Sequence, residues 1–459
     1  SLDGVLSGQN GVETLEKNKN GQTLQGIAKS TKPAKDGQDV YTTLDSKLQT
    51  YLETLMDEAM QKSGAPELVG TLVKADTGEI LATTQRPTFN PSTQTVIGPK
   101  NDKVSDKQNL NQQSNLLYQA MYEPGSTFKL FTMSAAIENG TFDPNATYSS
   151  APITVGGATI GDWDVSDHPN GFIFTYPQGF SHSSNVGMSK LQMAMGDKVW
   201  GDYLNRFKFG KPTLMGLGGE ALGKLPDDNI VSQVNSAFGQ GISVTETQML
   251  RGFSAVANGG KMLEPHFISK IASVDSQRIA KPEIVGQPIS KKTADSVLKY
   301  MVSVGTDNVN GTAYDWTNAQ PYFRVGDKEV SVKTGTAQVA NPTGGYYVGT
   351  TAYLYSAVAM VPSTNPDYIF YMTVKLPQHW SLSFISDVAN PLLERAYELK
   401  SEIDASQEQP TNELKVDMKD YTGKPVNSTV NLLRQEILQP VVIGSGTVIK
   451  DQAISAGTK

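Results

Sequence analysis

The chain has 459 residues, a formal net charge of −7 and no cysteine. That length predicts two or three domains with room for a substantial core. The acidic balance excludes nucleic acid as the main partner, because phosphate binding needs a basic surface; the missing thiols exclude a disulfide frame, a thiol nucleophile and a cysteine metal site.

Residues 1–38 are polar, rich in Gly, Lys and Asn and weakly periodic. They read as the remnant of an upstream pedestal plus a linker. The chain starts without methionine, which reads as a processed or engineered fragment whose targeting segment lay upstream. Thr42-Thr43-Leu44-Asp45 opens an amphipathic helix in which Leu48, Leu52, Leu55, Met56 and Met60 recur at three- and four-residue steps. Residues 68–73 and 79–84 read as strands joined at the turn signal Ala75-Asp76-Thr77-Gly78. Residues 86–99 read as loop and 101–113 as polar surface.

The run Glu123-Pro124-Gly125-Ser126-Thr127-Phe128-Lys129 delivers the chain to a helix over 126–139, with Gly140 as its stop. Ser126 falls in the first turn, where free N–H groups favour negative charge. Lys129, three residues on, shares its face. A serine becomes a nucleophile when a base takes its proton, and a lysine is such a base once its pKa is pushed down. The same Ser-x-x-Lys pattern recurs at Ser296 and Lys299, inside an amphipathic surface helix with no Pro-Gly entry, where it reads as decoration.

Residues 143–176 read as a Gly-, Pro-, Thr- and Asp-rich insertion in which Trp163 is either a cleft wall or a packing plug. Ser183-Ser184-Asn185 precedes a helix running to Gly196; it is either a helix cap or a hydroxyl and a carboxamide facing Ser126, and Ser-x-Asn recurs in the turn at Ser363 and Asn365. Further helices are expected over 199–207 and 246–258, with a glycine-rich loop over 210–226 between them and Gln240 exposed between two glycines. Residues 329–339 alternate apolar and polar as a strand does, with Lys333-Thr334-Gly335-Thr336 in the middle and Gly335 open to close approach. Strands follow over 353–360 and 368–375, the first of them the most apolar run and far too short to cross a bilayer, and then a helix over 391–399. Residues 401–412 read as a linker and 413–459 as a small separate unit, a strand and then a helix, incomplete at its end. His168, His182, His266 and His379 lack a paired metal spacing and read as ordinary polar residues, so neither a metal nor a cofactor is expected.

Three motifs, Ser126/Lys129, Ser183/Asn185 and Lys333/Thr334/Gly335, therefore occur in order, at a helix start, an inter-helix loop and a strand. With Phe238-Gly239-Gln240-Gly241 and Ala257-Asn258-Gly259-Gly260, the chain resembles a class B penicillin-binding protein of the Gram-positive cell-division type over roughly 39–399. Val442-Ile443-Gly444-Ser445-Gly446-Thr447 resembles part of a PASTA module. The resemblance implies an α+β transpeptidase fold of the penicillin-binding and serine β-lactamase kind, an antiparallel sheet flanked by helices plus a helical subdomain, over 39–400. A small α/β PASTA module would occupy 413–459. It implies a D,D-transpeptidase that cross-links peptidoglycan stem peptides through a serine acyl-enzyme and is acylated by β-lactam antibiotics. Ser126, Lys129, Ser183, Asn185 and Lys333 would be catalytic; Trp163, Gln240, Thr334, Gly335, Thr336 and Gln338 would bind substrate. Lys129 is expected to lose its proton through burial beside Lys333, and the N–H groups of Ser126 and Thr336 to form an oxyanion hole. Division-complex membrane proteins are the expected partners, at the extracellular face of the cytoplasmic membrane, with an N-terminal anchor in the full-length protein. Two rival readings stay open. A β-lactamase needs a carboxylate to position water, and Glu220 is the nearest candidate without matching the pattern. A β-lactam sensor or wall-binding scaffold would share the first motif.

Overall fold

The computed structural model describes residues 2–459 apart from 18, 21, 22, 91, 93, 94, 98–113, 342, 350 and 406–411, so the surface reading of 101–113 lies outside the described residues. The elements that position the cleft are, in chain order, helix α1 (Ser46–Ser63), strands β1 (Glu67–Lys74) and β2 (Ile80–Arg86), helices α2 (Lys129–Asn139), α3 (Asn185–Met195), α4 (Glu246–Ala257) and α5 (Lys291–Thr306), strands β3 (Ser331–Gln338), β4 (Tyr353–Val361) and β5 (Tyr368–Lys375), and helices α6 (Ser383–Glu398) and α7 (Val426–Gln435). The strands form one antiparallel sheet in the order β3-β4-β5-β1-β2.

The two faces of this sheet are covered by different helices, as neighbouring residues of β1 demonstrate. Successive strand residues point to opposite faces. Gly70 lies against Met56 and Leu52 of α1, while the hydroxyl of Thr71 donates to Glu246 of α4 at 2.9 Å. The leucines and Met56 of α1 are buried as their spacing predicts, and the Asp45 carboxylate caps the helix by accepting from the Lys47 and Leu48 N–H groups. On the α4 side, Phe131 stacks on Phe253 with centroids 5.5 Å apart, and Phe253 meets Tyr371 of β5 at 5.1 Å. Phe128 packs on Phe131 at 5.1 Å and on Phe209 at 4.8 Å. These rings are fully buried, each contributing about 1.5–3 kcal/mol, and they bolt the start of α2 to the sheet.

Several expectations need correction. Within residues 1–38, read as a pedestal remnant plus a linker, Val12–Lys17 pairs with Thr23–Lys32 as an antiparallel hairpin; just after them, Asp39–Thr42 joins Ile268–Ala272 and Gln277–Ile279 in a three-stranded sheet. The loop over 86–99 contains a short antiparallel pair, Thr88–Asn90 with Thr95–Ile97. Helix α6 begins at Ser383, with Pro391 inside it, because its first turns bury Phe384, Ile385 and Val388. The segment read as a linker opens with a helix, Lys400–Ala405; its residues 406–411 lie outside the described ones.

The tail also differs from its reading. No strand forms at its start; single bridges join Glu413 to Gln277 and Pro425 to Val448. Nor is it separate, because α7 is held to the body of the protein. Arg434 forms a two-toothed pair with Glu283 at 2.7 and 3.1 Å and donates to the carbonyls of Thr213 and Leu214. The buried Gln435 amide reaches Gly216 O at 2.7 Å. A tail this short buries too little apolar surface to stand alone, so the body supplies its partners. Arg434→Ala is therefore expected to release α7, raising hydrogen exchange over 426–438 at least tenfold; exchange there equal to that of the unsubstituted chain would reject this docking.

Candidate active site

Pro124 and Gly125 bring the chain to a 3₁₀ turn, Gly125–Phe128, that continues into α2. Gly125 has φ +59°, and a Cβ there would lie 2.6 Å from Thr336 O, so only glycine lets the first motif press against β3. At Gly335 a Cβ would meet Ser356 Oγ at 2.3 Å and Thr127 Cγ2 at 3.0 Å. The first and third motifs are thus in backbone contact, with β3 an edge of the sheet.

Lys129 and Lys333 are both fully buried. They converge on Ser183. The Lys333 amine donates to Ser183 Oγ at 2.9 Å and to Thr334 O at 2.8 Å. The Lys129 amine bonds Ser183 Oγ at 3.2 Å, Asn185 Oδ1 at 2.8 Å and the Ser183 carbonyl. Ser184, between them, caps α3 by accepting from the Gly187 N–H at 3.0 Å. Cap and hydroxyl-plus-carboxamide, posed as alternatives, are therefore both present on adjacent residues.

Burial pushes the Lys129 amine down to about 7, against the pull of the Asp162 carboxylate. Lys333 falls well below the ordinary lysine range through burial first and the neighbouring Lys129 charge second. Burial is the larger cause for both amines, and the repulsion between their charges adds to it. Two amines sharing one hydroxyl in a dry pocket disfavour carrying positive charge at the same time.

Ser126, Ser183, Asn185, Thr334, Gly335 and Thr336 line one cleft of about 830 Å³, together with Trp163, Gln240 and Gln338. Every residue singled out from sequence thus faces this cleft or, for the two lysines, sits behind its wall. Gln240 and Gln338 meet at 3.5 Å. Trp163 is a wall, 62% exposed, with its indole N–H on His182 O at 3.0 Å. Among the described residues Ser126 Oγ has no hydrogen-bond partner; such contacts often tighten only when substrate binds. Ser296 lies on the outer side of α5 and donates to Lys292 O at 2.9 Å.

Sequence reasoning missed several residues of the site. Thr312 bonds Thr334 hydroxyl to hydroxyl at 2.7 Å. Trp316, Tyr322, Tyr353, Tyr355 and Trp380 extend the cleft wall; of these only Tyr353 and Tyr355, alternating on a strand, carried a pattern. His182 is no ordinary surface histidine: it is buried, its Nε2 lies 3.1 Å from Asp164 Oδ2, and burial lowers its pKa despite Asp164. Among the described residues, Asp162, Asp164 and His182 form the one group placing three possible metal-ligand atoms within 4.8 Å of one another.

With this geometry in view, comparison with known proteins is decisive about kinship. Residues 69–398 match the penicillin binding protein transpeptidase domain. The chain belongs to the penicillin-binding protein transpeptidase family. It is 31% identical over 385 residues to "Penicillin-binding protein PbpB" of Mycolicibacterium smegmatis, covering 82% of this chain and 56% of that one. It is 26% identical over 382 residues to "Peptidoglycan D,D-transpeptidase FtsI" of Escherichia coli, covering 82% and 58%. The solved structure of Penicillin Binding Protein 2X from Streptococcus thermophilus superposes with a TM-score of 0.89 at 45% identity, over 99% of this chain and 66% of that one. The chain thus spans little more than half the length of those two curated relatives.

The buried Lys129 carries a stability signature. Its folded pKa of about 7 lies below the ordinary lysine value of 10.5, so the unfolded chain binds more protons between the two and stability rises with pH across that window. Relative to Lys129→Met, the unsubstituted chain should gain roughly 2 kcal/mol between pH 7 and pH 9, at about 1.4 kcal/mol per pH unit for one proton. Urea denaturation at the two pH values measures this; a gap constant with pH would show that Lys129 keeps its charge.

Proposed function

We propose that this chain is a serine D,D-transpeptidase that acylates itself on peptidoglycan stem peptides ending in D-Ala-D-Ala and passes the acyl group to an amine on a neighbouring strand. The observation that carries this reading is the pair of buried amines bonded to Ser183 Oγ directly behind a cleft lined by Ser126.

The chemistry follows from the placement. Ser126 Oγ attacks the carbonyl of the penultimate D-alanine while neutral Lys129 takes its proton. The oxyanion is received by the N–H groups of Ser126 and Thr336, each worth roughly 3–4 kcal/mol in such sites. Ser183 Oγ, in contact with both amines, passes the proton to the departing D-alanine nitrogen, so the C–N bond breaks as the acyl-enzyme forms. The acceptor amine then attacks the ester and returns the proton by the same route, freeing Ser126. Asn185 holds Lys129 through its Oδ1, and Thr334 and Thr336 offer hydroxyls to the substrate carboxylate with Lys333 behind them. A β-lactam presents the same carbonyl in a ring and blocks Ser126.

The rival hydrolase reading loses its base. Glu220 accepts from the Thr213 and Leu214 N–H groups at 2.6 and 2.8 Å and from the Thr213 hydroxyl at 2.7 Å. Its carboxylate is committed to the glycine-rich loop beside the tail, so the residue nearest the hydrolase pattern is not free to position water, and slow release of bound penicillin is the outcome the transpeptidase reading expects. The relatives named above support a wall-synthesis role outside the cytoplasm; division-complex partners, a membrane anchor and a PASTA identity for the tail belong to this same proposal. Among the described residues no helix is long and apolar enough to cross a membrane.

Ser126→Ala should abolish labelling by fluorescent penicillin while Ser296→Ala labels normally; equal labelling of the two would reject Ser126 as nucleophile. Acylation should fall as pH drops through about 7, since a protonated Lys129 cannot accept the Ser126 proton. Lys333→Ala should slow it at least tenfold and disturb this acid limb; an unaltered rate and profile would remove Lys333 from the site.

A further inference from the structure

Four consecutive residues, Gly161 to Asp164, each bond to the second motif or to the residues on either side of it. Gly161 O accepts from the Asn185 side-chain amide at 3.1 Å. Asp162 Oδ1 accepts from the Val186 N–H at 3.0 Å. The Trp163 indole N–H donates to His182 O at 3.0 Å, and Asp164 Oδ2 pairs with His182 Nε2 at 3.1 Å. Resting on the transpeptidase reading, we propose that Gly161–Asp164 is a positioning strap for the catalytic Ser183–Asn185 segment, with Asp162 and Asp164 as positioning residues and Asp162 also supplying the buried negative charge opposite the lysine amines.

The segment needs such a strap. Ser183 sits at φ +60°, a conformation that costs a residue with a Cβ and persists only where surroundings over-determine it. In that conformation both its carbonyl and its hydroxyl meet Lys129. Helix α3 begins only at Asn185; from the preceding side Ser183 is held by its own N–H on Phe180 O at 3.1 Å and by that of Ser184 on Gly179 O at 2.7 Å, to which the strap adds the bonds above. The strap grips on both sides of it, at His182 and at Asn185–Val186.

Asp162 has a second feature. It is 5% exposed, and its Oδ2 is buried without a hydrogen-bond partner. A carboxylate left so in a dry site is balanced by nearby positive charge, and its charge acts on Lys129. The charged and titratable groups acting on or touching this cluster are Lys129 on α2, Lys333 on β3, His182 on the motif segment, Asp164 on the strap and Tyr148 beneath α3. Removing the Asp162 charge therefore makes Lys129 easier to deprotonate, while removing its bond to Val186 loosens the segment. The two effects separate by substitution.

The experiment is stopped-flow acylation by fluorescent penicillin across pH, on the whole chain, with circular dichroism verifying each variant's fold. Asp162→Asn keeps an acceptor for Val186 and loses the charge: the acid limb should move to lower pH. Asp162→Ala loses both, and the plateau rate should also fall roughly tenfold to a hundredfold, as misplacement of a reacting group does. Asp164→Ala should lose roughly tenfold, and Asp164→Asn, which can still accept from His182, should recover most of it. An unshifted acid limb in Asp162→Asn with an undiminished rate in Asp164→Ala overturns the strap alone. Absence of labelling in the unsubstituted chain overturns the transpeptidase reading with it. Acylation abolished by EDTA and restored by Zn²⁺ would give the Asp162, Asp164 and His182 trio to a metal and overturn the strap.

Discussion

Everything in this site depends on two lysine amines sharing a single serine hydroxyl out of contact with water. Ser183 Oγ lies 3.2 Å from the Lys129 amine and 2.9 Å from that of Lys333. In water two ammonium groups at that spacing would repel only weakly. In a desolvated pocket neither hydration nor screening is available, and protonation of both becomes prohibitive. Burial therefore lowers both amines, and an amine lowered to near neutrality is the base that the proposed reaction needs.

Such an arrangement survives only if the scaffold pays for it in rigid packing. Phe128 and Phe131 flank Lys129 in sequence and drive into the aromatic cluster with Phe209, Phe253 and Tyr371. The lysine thereby cannot swing out to solvent without unpacking the core. On the opposite wall, Ser331 Oγ donates to Leu298 O at 2.8 Å and ties β3 to α5, so Lys333 is equally constrained. The glycines at 125 and 335 let these rigid walls meet without a side chain between them.

Asp162 shows why burial alone does not finish the design. A pocket dry enough to strip both amines would leave no place for the positive charge Lys129 must carry in mid-reaction. A buried carboxylate next to it restores that capacity, at the cost of holding Lys129 higher than desolvation would. The opposing pulls leave the amine near neutrality, where a group can both take and give a proton.

The chain's own order of residues determined the elements on which the site is built. Alternation marked β3, helical spacing marked α1, and Pro-Gly followed by Ser-x-x-Lys marked the entry to α2, because these signals act between near neighbours. The residues of the three motifs could be named for the same reason, each in a recognisable local setting, whereas the aromatic walls from Trp316, Tyr322 and Trp380 could not. Tertiary structure alone decided what those residues do to one another. That burial lowers both lysine amines, that Asp162 and His182 lie against the second motif, and that α7 leans on Glu283 all depend on groups brought together by the fold. Burial and Coulomb energy are fixed by distance through space, and no local pattern of side chains encodes that distance.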